Sequence, residues 1–257
     1  MDRELKERFI SLWTKYFHNA QLPLIFFYTD RDNVAQKVKR PKAEHRCVLA
    51  DIFKVQKGRS LAFDEDSFGC FGGKKYLGYG DGFMPDFEYF LSCGIPGKLE
   101  GERYKKTPEL VKAYMREFPS FKAPYKNMVF KRWDLLEAED EPEVVIFFSP
   151  PDIISGLFTL ANFDRIDLNS VITPFGAGCA TIVLYPYSEK TSQNPRAVIG
   201  MFDVSARPCI PSHMLSFAVP MNRFVEMINN MEESFLTTKS WAKVKKRIKN
   251  DLKSSQK

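Results

Sequence analysis

Two uninterrupted apolar runs organise the chain: residues 22–28 and residues 144–148. Runs of this length with Phe, Ile and Val read as strands buried on both faces. Around the first run the pattern is helical. Leu5, Phe9, Leu12, Trp13, Tyr16 and Phe17 form one stripe, with Asp2 placed as N-cap, which predicts a helix from about Arg3 to Asn19. A polar, net-basic loop follows over residues 29–45. A helix over 46–57 then stops at Gly58, a strand spans 60–63, and residues 68–78 are Gly-rich. A loop carrying Cys93 leads to a helix opened by Thr107 and Pro108 and running to about Phe118.

After the second apolar run the order starts again. A helix is predicted over 149–162 and an extended piece near Val171. The Gly-rich turn 175–179 then leads into an apolar helical run. Strands follow over 196–203 and 215–219, and a helix opens at Pro220. Ile25-Phe26-Phe27 matches Ile146-Phe147-Phe148, Phe53 matches Phe158, and Phe68-Gly69-Cys70 matches Phe175-Gly176 with Cys179. Cys93-Gly94-Ile95-Pro96 matches Cys209-Ile210-Pro211, and Pro108 matches Pro220. Five landmarks in one order predict an α/β (or α+β) fold of two diverged repeats packed about a pseudo-twofold axis. The expected organisation is an N-terminal helix (1–20), copy one (21–125), copy two (126–236) and a tail (237–257) within one compact domain. Equivalent residues meet on such an axis, and ligands favour such boundaries.

Composition adjusts this picture in three places. The net charge of +6 is concentrated in residues 239–257, which hold eight Lys/Arg against one Asp and leave the rest of the chain near −1. The body is therefore nearly neutral, and nucleic acid is not the expected partner. In the tail, Trp241, Val244, Ile248 and Leu252 form an amphipathic helix that should dock on the body with its lysines in water; a membrane-surface or interaction role is the alternative. Five sparse cysteines suggest a reducing cytoplasm and no disulfide framework. The first residues are too charged for an export signal, and the uncharged run 168–188 is broken by Pro174, Gly176, Gly178 and Pro186, so no membrane span is expected.

The chemistry that stands out lies in two Gly-Cys turns. Gly176, Gly178 and Cys179 precede an apolar helix, and Gly69, Cys70, Gly72 and Gly73 precede Lys74 and Lys75. A helix N-terminus offers free N–H groups and partial positive charge, which suit an anion or an acidic thiol. The competing reading is that the thiols are small buried hydrophobes and the glycines serve packing. Neither a Walker loop nor a GxGxxG fingerprint is present. Asp203 and Arg207 follow a strand end, where Arg207 could clamp a carboxylate or phosphate, or pair with Asp203. Cys70, Cys93, Cys179 and Cys209 together could hold an iron–sulfur cluster or zinc, although no CxxC or CxxH spacing is present. His18 suits the end of the first helix, His45 lies in the basic loop, and His213 follows Cys209 closely enough for a Cys–His pair, with capping or solvation as the simpler role.

Several landmarks also carry a family resemblance: Arg46-Cys47-Val48-Leu49, Phe68-Gly69-Cys70-Phe71-Gly72-Gly73 with Tyr76-Leu77-Gly78, Gly178-Cys179-Ala180-Thr181, Phe202-Asp203-Val204-Ser205-Ala206-Arg207, Phe217-Ala218-Val219-Pro220 and Ser234-Phe235-Leu236. Over residues 20–236 the chain resembles the ArCR family, domain of unknown function 169, of archaeal and bacterial proteins. The resemblance implies that these cysteines and glycines and the Asp203/Arg207 pair belong to a family pattern, and it brings no activity with it. The expectation is a small-molecule ligand or cofactor, anionic in character, bound between the repeats. A thiolate, metal or iron–sulfur redox enzyme is the alternative, and a tail-recruited interaction module is a third. Whether the protein is an enzyme is left open by the sequence.

Overall fold

The computed structural model describes residues 1–18, 20–39, 46–119 and 121–254. The expected helix end at Asn19 and His45 lie outside them, as does the side chain of Leu252. The strands among these residues are β1 (Leu24–Thr29), β2 (Gln36–Lys37), β3 (Leu61–Phe63), β4 (Asn127–Arg132), β5 (Val144–Ser149), β6 (Val171–Ile172), β7 (Ala197–Gly200) and β8 (Leu215–Pro220). They form one mixed sheet in the order β2-β3-β4-β1-β5-β8-β7-β6. The two apolar runs, β1 and β5, are its central pair, in register Leu24↔Ile146, Ile25↔Val145 and Phe26↔Val144. The pairings read alike from either edge. Each outermost pair is parallel (β2–β3, β6–β7), and the two pairs inside it are antiparallel (β3–β4 and β4–β1; β7–β8 and β8–β5).

The helices are α1 (Arg3–Phe17), α2 (Val48–Val55), α3 (Phe71–Tyr76), α4 (Phe87–Phe90), α5 (Pro108–Arg116), α6 (Pro151–Ala161), α7 (Tyr185–Glu189), α8 (Met221–Asn230) and α9 (Lys239–Ser254). A π-helical turn, Ala180–Leu184, runs straight into α7. Its cause is local. Pro186 has no N–H to give, and the Tyr185 N–H reaches back five residues to Ala180 C=O, so the helix widens ahead of the proline.

Helices cover both faces, which is why β1 and β5 carry no polar alternation. Ile25 and Phe27 enter one core with Phe9, Trp13 and Phe17 of α1, Leu157 of α6, Phe224 of α8 and Trp241 of α9. Leu24, Phe26 and Tyr28 enter the other core with Val48 and Ile52 of α2, Tyr76 of α3, and Ala180 and Val183 of the π turn. The tail docks as the sequence pattern indicates. Trp241 and Ile248 are buried, the Trp241 indole N–H donates to Tyr16 C=O at 3.0 Å, and Arg247 pairs with Asp152 of α6.

Two strands escape the sequence pattern. β2 is a two-residue strand inside the expected polar loop. β4 lies in the segment assigned to copy two, yet it pairs with β1 and β3, so the first group of four strands extends to Arg132. Its disguise is Lys131, which is 2 % exposed. The buried ammonium is tolerable because Asp140, at 2.9 Å, and Glu137, at 2.7 Å, accept from it.

Candidate functional site

The strand pairings also relocate the cysteines. α2 joins β2 to β3, and the π turn with α7 joins β6 to β7; each helical segment links a parallel pair. Cys47, in extended conformation, is the N-cap of the first, and Cys179, already helical, stands immediately before the π turn of the second. Cys70 follows β3, and Cys209 follows β7. The expected match of Cys70 with Cys179 is thereby overturned, because Cys179 precedes β7. The match of Phe53 with Phe158 fails likewise: Phe53 sits on α2 against the core of one face, and Phe158 on α6, which packs on the other. Cys93 stands exposed in the loop between α4 and α5, its thiol directed at Gly94 C=O. It lines a surface cavity of about 530 Å³ with Lys98 and Arg103, among others, and none of the other four thiols borders that cavity.

Those four come together on one face. α2 packs on the 3-10 turn Arg207–Cys209, and α3 packs on the π turn, so each half places a helix on the other half's cysteine segment. A Cβ on Gly73 would lie 2.8 Å from Cys70 Sγ and 3.2 Å from Val48 Cβ, which sets that sulfur beside the first turn of α2. A Cβ on Gly178 would lie 2.8 Å from Leu49 Cδ1 and 3.0 Å from Ala206 Cβ, so the Cys179 turn is wedged between α2 and the segment leading to Cys209. Gly69, Gly72, Gly73, Gly176 and Gly178 all avoid positive φ. At Gly73 and Gly178 the missing side chain is what allows this close approach.

Electrostatics record the same proximity. Burial pushes the Cys47 thiol up to about 12, with Cys209 and Cys70 adding to the rise. Burial also pushes the buried Cys179 well above the ordinary thiol range, with Cys70 and Cys47 as the next contributors. Thiols held protonated at neutral pH are not activated nucleophiles. Among the described residues, no group of three or more His, Cys, Asp or Glu side chains is placed to hold a metal ion.

The candidate anion donors are committed elsewhere. The Gly178 N–H donates to Asp203 Oδ2 at 3.0 Å, and the Gly73 N–H to Cys70 Sγ at 3.2 Å. The Arg207 guanidinium does not pair with the Asp203 carboxylate. It donates to the carbonyls of Met214 and Ser212, each at 2.6 Å, and of Met201 at 3.4 Å. Lys74 pairs with Glu65, and Lys75 lies over the Phe83 ring. His18 caps α1 in a left-handed conformation, and its pKa is lowered by burial and then by Lys245 and Lys249 of the tail.

The two turns that carry Cys70 and Cys209 are built alike. Asp64 Oδ1 accepts from Ser67 Oγ at 2.9 Å, and Asp203 Oδ1 from Ser205 Oγ at 2.8 Å. In each the cysteine follows the aspartate by the same interval, and a Phe precedes the aspartate: Phe63-Asp64 with Cys70, and Phe202-Asp203 with Cys209. That spacing was legible in the sequence and was masked by the more conspicuous Phe-Gly-Cys match. The surroundings are aromatic. Tyr114 of α5 and Tyr185 of α7 both donate to Phe175 C=O, at 2.6 and 3.2 Å, while Phe71, Phe175 and Phe202 are more than half exposed.

The profile of the family described as uncharacterised ArCR, domain of unknown function 169, matches residues 22–230, most of the chain and all of the sheet. This protein belongs to the ArCR family. The match takes in Cys47, Cys70, Cys179, Cys209 and the whole of β1 to β8, and leaves α1 and α9 outside it. No curated protein and no solved structure matches the chain. No helix among the described residues is long and apolar enough to cross a membrane.

Proposed function

We propose that the two halves of this ArCR protein are diverged copies of one unit related by a pseudo-twofold axis, and that a cofactor binds where their cysteine turns meet. The supporting observation is the reciprocal packing of α2 on the Cys209 turn and α3 on the Cys179 segment, which gathers two thiols from each half. The central register agrees with such an axis. Matching Ile25 to Ile146 makes Leu24 equivalent to Val145, and a twofold would then exchange the pair Leu24↔Ile146 with the pair Ile25↔Val145. The smaller expectation, an anionic ligand held by the Gly-Cys turns and Arg207, has less support, because the Gly73 and Gly178 N–H groups and the Arg207 guanidinium already donate to Cys70, Asp203 and backbone carbonyls. Beside these donors stand the four thiols and the exposed rings of Phe71, Phe175 and Phe202.

Native mass spectrometry of the full chain, purified anaerobically, tests this reading. The wild type is expected to carry a mass beyond that of the polypeptide, released on denaturation. The C47A/C179A double variant should lack that mass, and C93A should keep it. A wild-type protein that flies only as the bare chain would count against the site.

A further inference from the structure

We infer that the outer surface formed by α9, α6 and the loop after α6 docks this protein on a bilayer surface that carries anionic phospholipid, an assignment independent of the cofactor site proposed above. The first observation is a basic stripe on α9. Lys239, Lys243 and Lys246 stand at i, i+4 and i+7, opposite the buried Trp241 and Ile248, and all three are exposed. Their neighbours on the helix are engaged, Arg247 with Asp152 and Lys245 with the Lys15 C=O, whereas among the described residues these three lysines have no ion-pair partner. The body on which α9 rests is nearly neutral, so the positive charge of the chain is gathered at this helix.

The second observation lies beside the first. A Cβ on Gly156 of α6 would meet the Trp241 ring at 2.5 Å, and Arg247 pairs with Asp152, so α9 runs antiparallel along α6 and Lys239 stands toward the C-terminal end of α6. That end opens into residues 162–170, where Phe163 is exposed and Ile166 and Leu168 stand almost wholly clear of the protein. The exposed residues of α6 itself, Pro151, Ser155, Phe158 and Thr159, carry no charge. The charges of the loop are tied down: Asp164 pairs with Arg223, Arg165 with Glu226, and Asp167 Oδ1 accepts from the Asn169 N–H at 2.8 Å. Apolar side chains gathered on a surface in this way mark an interaction site, where single ones would not.

The two observations together choose the partner. Lysines near a bilayer gain from the negative potential of anionic headgroups, and large apolar side chains beside them enter the boundary between headgroups and acyl chains. A nucleic acid would match the lysines and leave Ile166 and Leu168 in water. A neutral bilayer would take the apolar side chains and leave the lysines without counter-charge. The contact is with the surface of the bilayer, because no helix among the described residues is long and apolar enough to cross it. α9 lies outside the family match at residues 22–230, so the charged half of this surface falls beyond the part of the chain that carries the ArCR pattern.

The test is cosedimentation of the full chain with vesicles of phosphatidylcholine alone and of phosphatidylcholine mixed with phosphatidylserine. Binding to the mixed vesicles and not to phosphatidylcholine alone is expected, and it should weaken as salt is raised. The K239A/K243A/K246A variant should lose about a hundredfold in apparent affinity, at about fivefold per lysine. The I166S/L168S variant should lose about tenfold. All five side chains are exposed, and circular dichroism shows whether each variant is folded; if one is not, the lipid and salt dependence of the wild type carries the same test. No pelleting with either vesicle, equal pelleting with both, or full binding by the triple lysine variant overturns the proposal. So does salt-sensitive binding of duplex DNA that the triple variant loses, in a chain that ignores the vesicles. Vesicle binding is expected whether or not the native spectrum shows a cofactor, so the two readings fail separately.

Discussion

The two faces of the central sheet are built for different purposes. One is sealed by α1, α6, α8 and α9 around Trp13, Phe17, Phe147, Phe224 and Trp241, with Trp13 stacked on Phe17 at 4.1 Å. The other carries the four gathered thiols, a π turn ahead of a proline, and Phe71, Phe175 and Phe202 left exposed. β1 and β5 serve both, sending alternate side chains to each. Under the proposed function, folding stability and cofactor binding divide between the two faces. Large residues fill the cores of both faces, and on the second the missing side chains of Gly73 and Gly178 let the cysteine turns approach one another. On the proposed reading, substitutions on the first face should cost folding free energy, and substitutions at the gathered thiols on the second should cost the proposed cofactor.

The sharpest way to break that comparison is Trp241→Ala. The side chain is buried in the sealed face, packs on Phe17 and Phe235, and donates to Tyr16 C=O. Its loss should destabilise the chain by about 3–5 kcal/mol in denaturant unfolding. Lys243→Ala and Lys246→Ala, on the solvent side of the same helix, should each stay within about 0.5 kcal/mol. Equal effects would mean that α9 is held by charge and not by packing.

Gly200→Ala should come next. A Cβ there would meet Thr181 Oγ1 at 2.1 Å and Thr181 Cβ at 2.4 Å, and Thr181 is tied in turn to Gly178 C=O. Overpacking of this kind costs about 1–3 kcal/mol. Because the displaced residue stands on the π turn beside Cys179, this variant should lose cofactor as well as stability, joining the two faces at one strand. Full cofactor retention in a destabilised G200A would show that the π turn can shift without disturbing the thiols.

The acid limb of stability should be smaller and should belong to the sealed face. Asp164 is held down to about 2, chiefly by its hydrogen bonds from the buried Arg223 guanidinium. A carboxyl whose pKa is depressed in the folded state contributes stability that is complete above the usual carboxylate range near about 4. That contribution is lost as pH falls from there toward 2. Asp164 is about a third exposed, so solvent screening trims the effect. Asp164→Asn should be less stable than wild type at neutral pH and nearly equal to it at the acid end; parallel curves across that window would remove Asp164 as the source.

How much of this was legible in the sequence follows from what each feature depends on. β1, β5, α1 and α9 were legible because burial on two faces, or on one stripe, leaves a local pattern. β4 was not, because the acids that make Lys131 tolerable come from the following loop, not from the strand itself. The gathering of thiols that carries the proposed site was half legible. Cys70, Cys179 and Cys209 were named, but Cys93 stood where Cys47 belongs. Short Phe-Gly-Cys similarity is a local cue, whereas equivalence between halves is decided by which strands a segment connects, and the order of pairing is a long-range property. The shared Phe-Asp turn and its fixed interval to the cysteine was the one local clue that agreed with the topology.

The smallest expected effect on stability offers the finest separation. Cys70 has two possible duties: its sulfur accepts from the Gly73 N–H as the N-cap of α3, and it belongs to the proposed cofactor site. Serine is a preferred N-cap residue whose oxygen can take over that hydrogen bond. Cys70→Ser should therefore leave the cofactor-free chain within about 0.5 kcal/mol of wild type, while Cys70→Ala, which removes the acceptor, should cost about 1 kcal/mol. Both should lose cofactor to the same extent, because neither keeps a thiol. If the serine variant retains the cofactor and only the alanine variant loses it, Cys70 acts by shaping its turn, and the thiols that hold the cofactor must be sought among the other three.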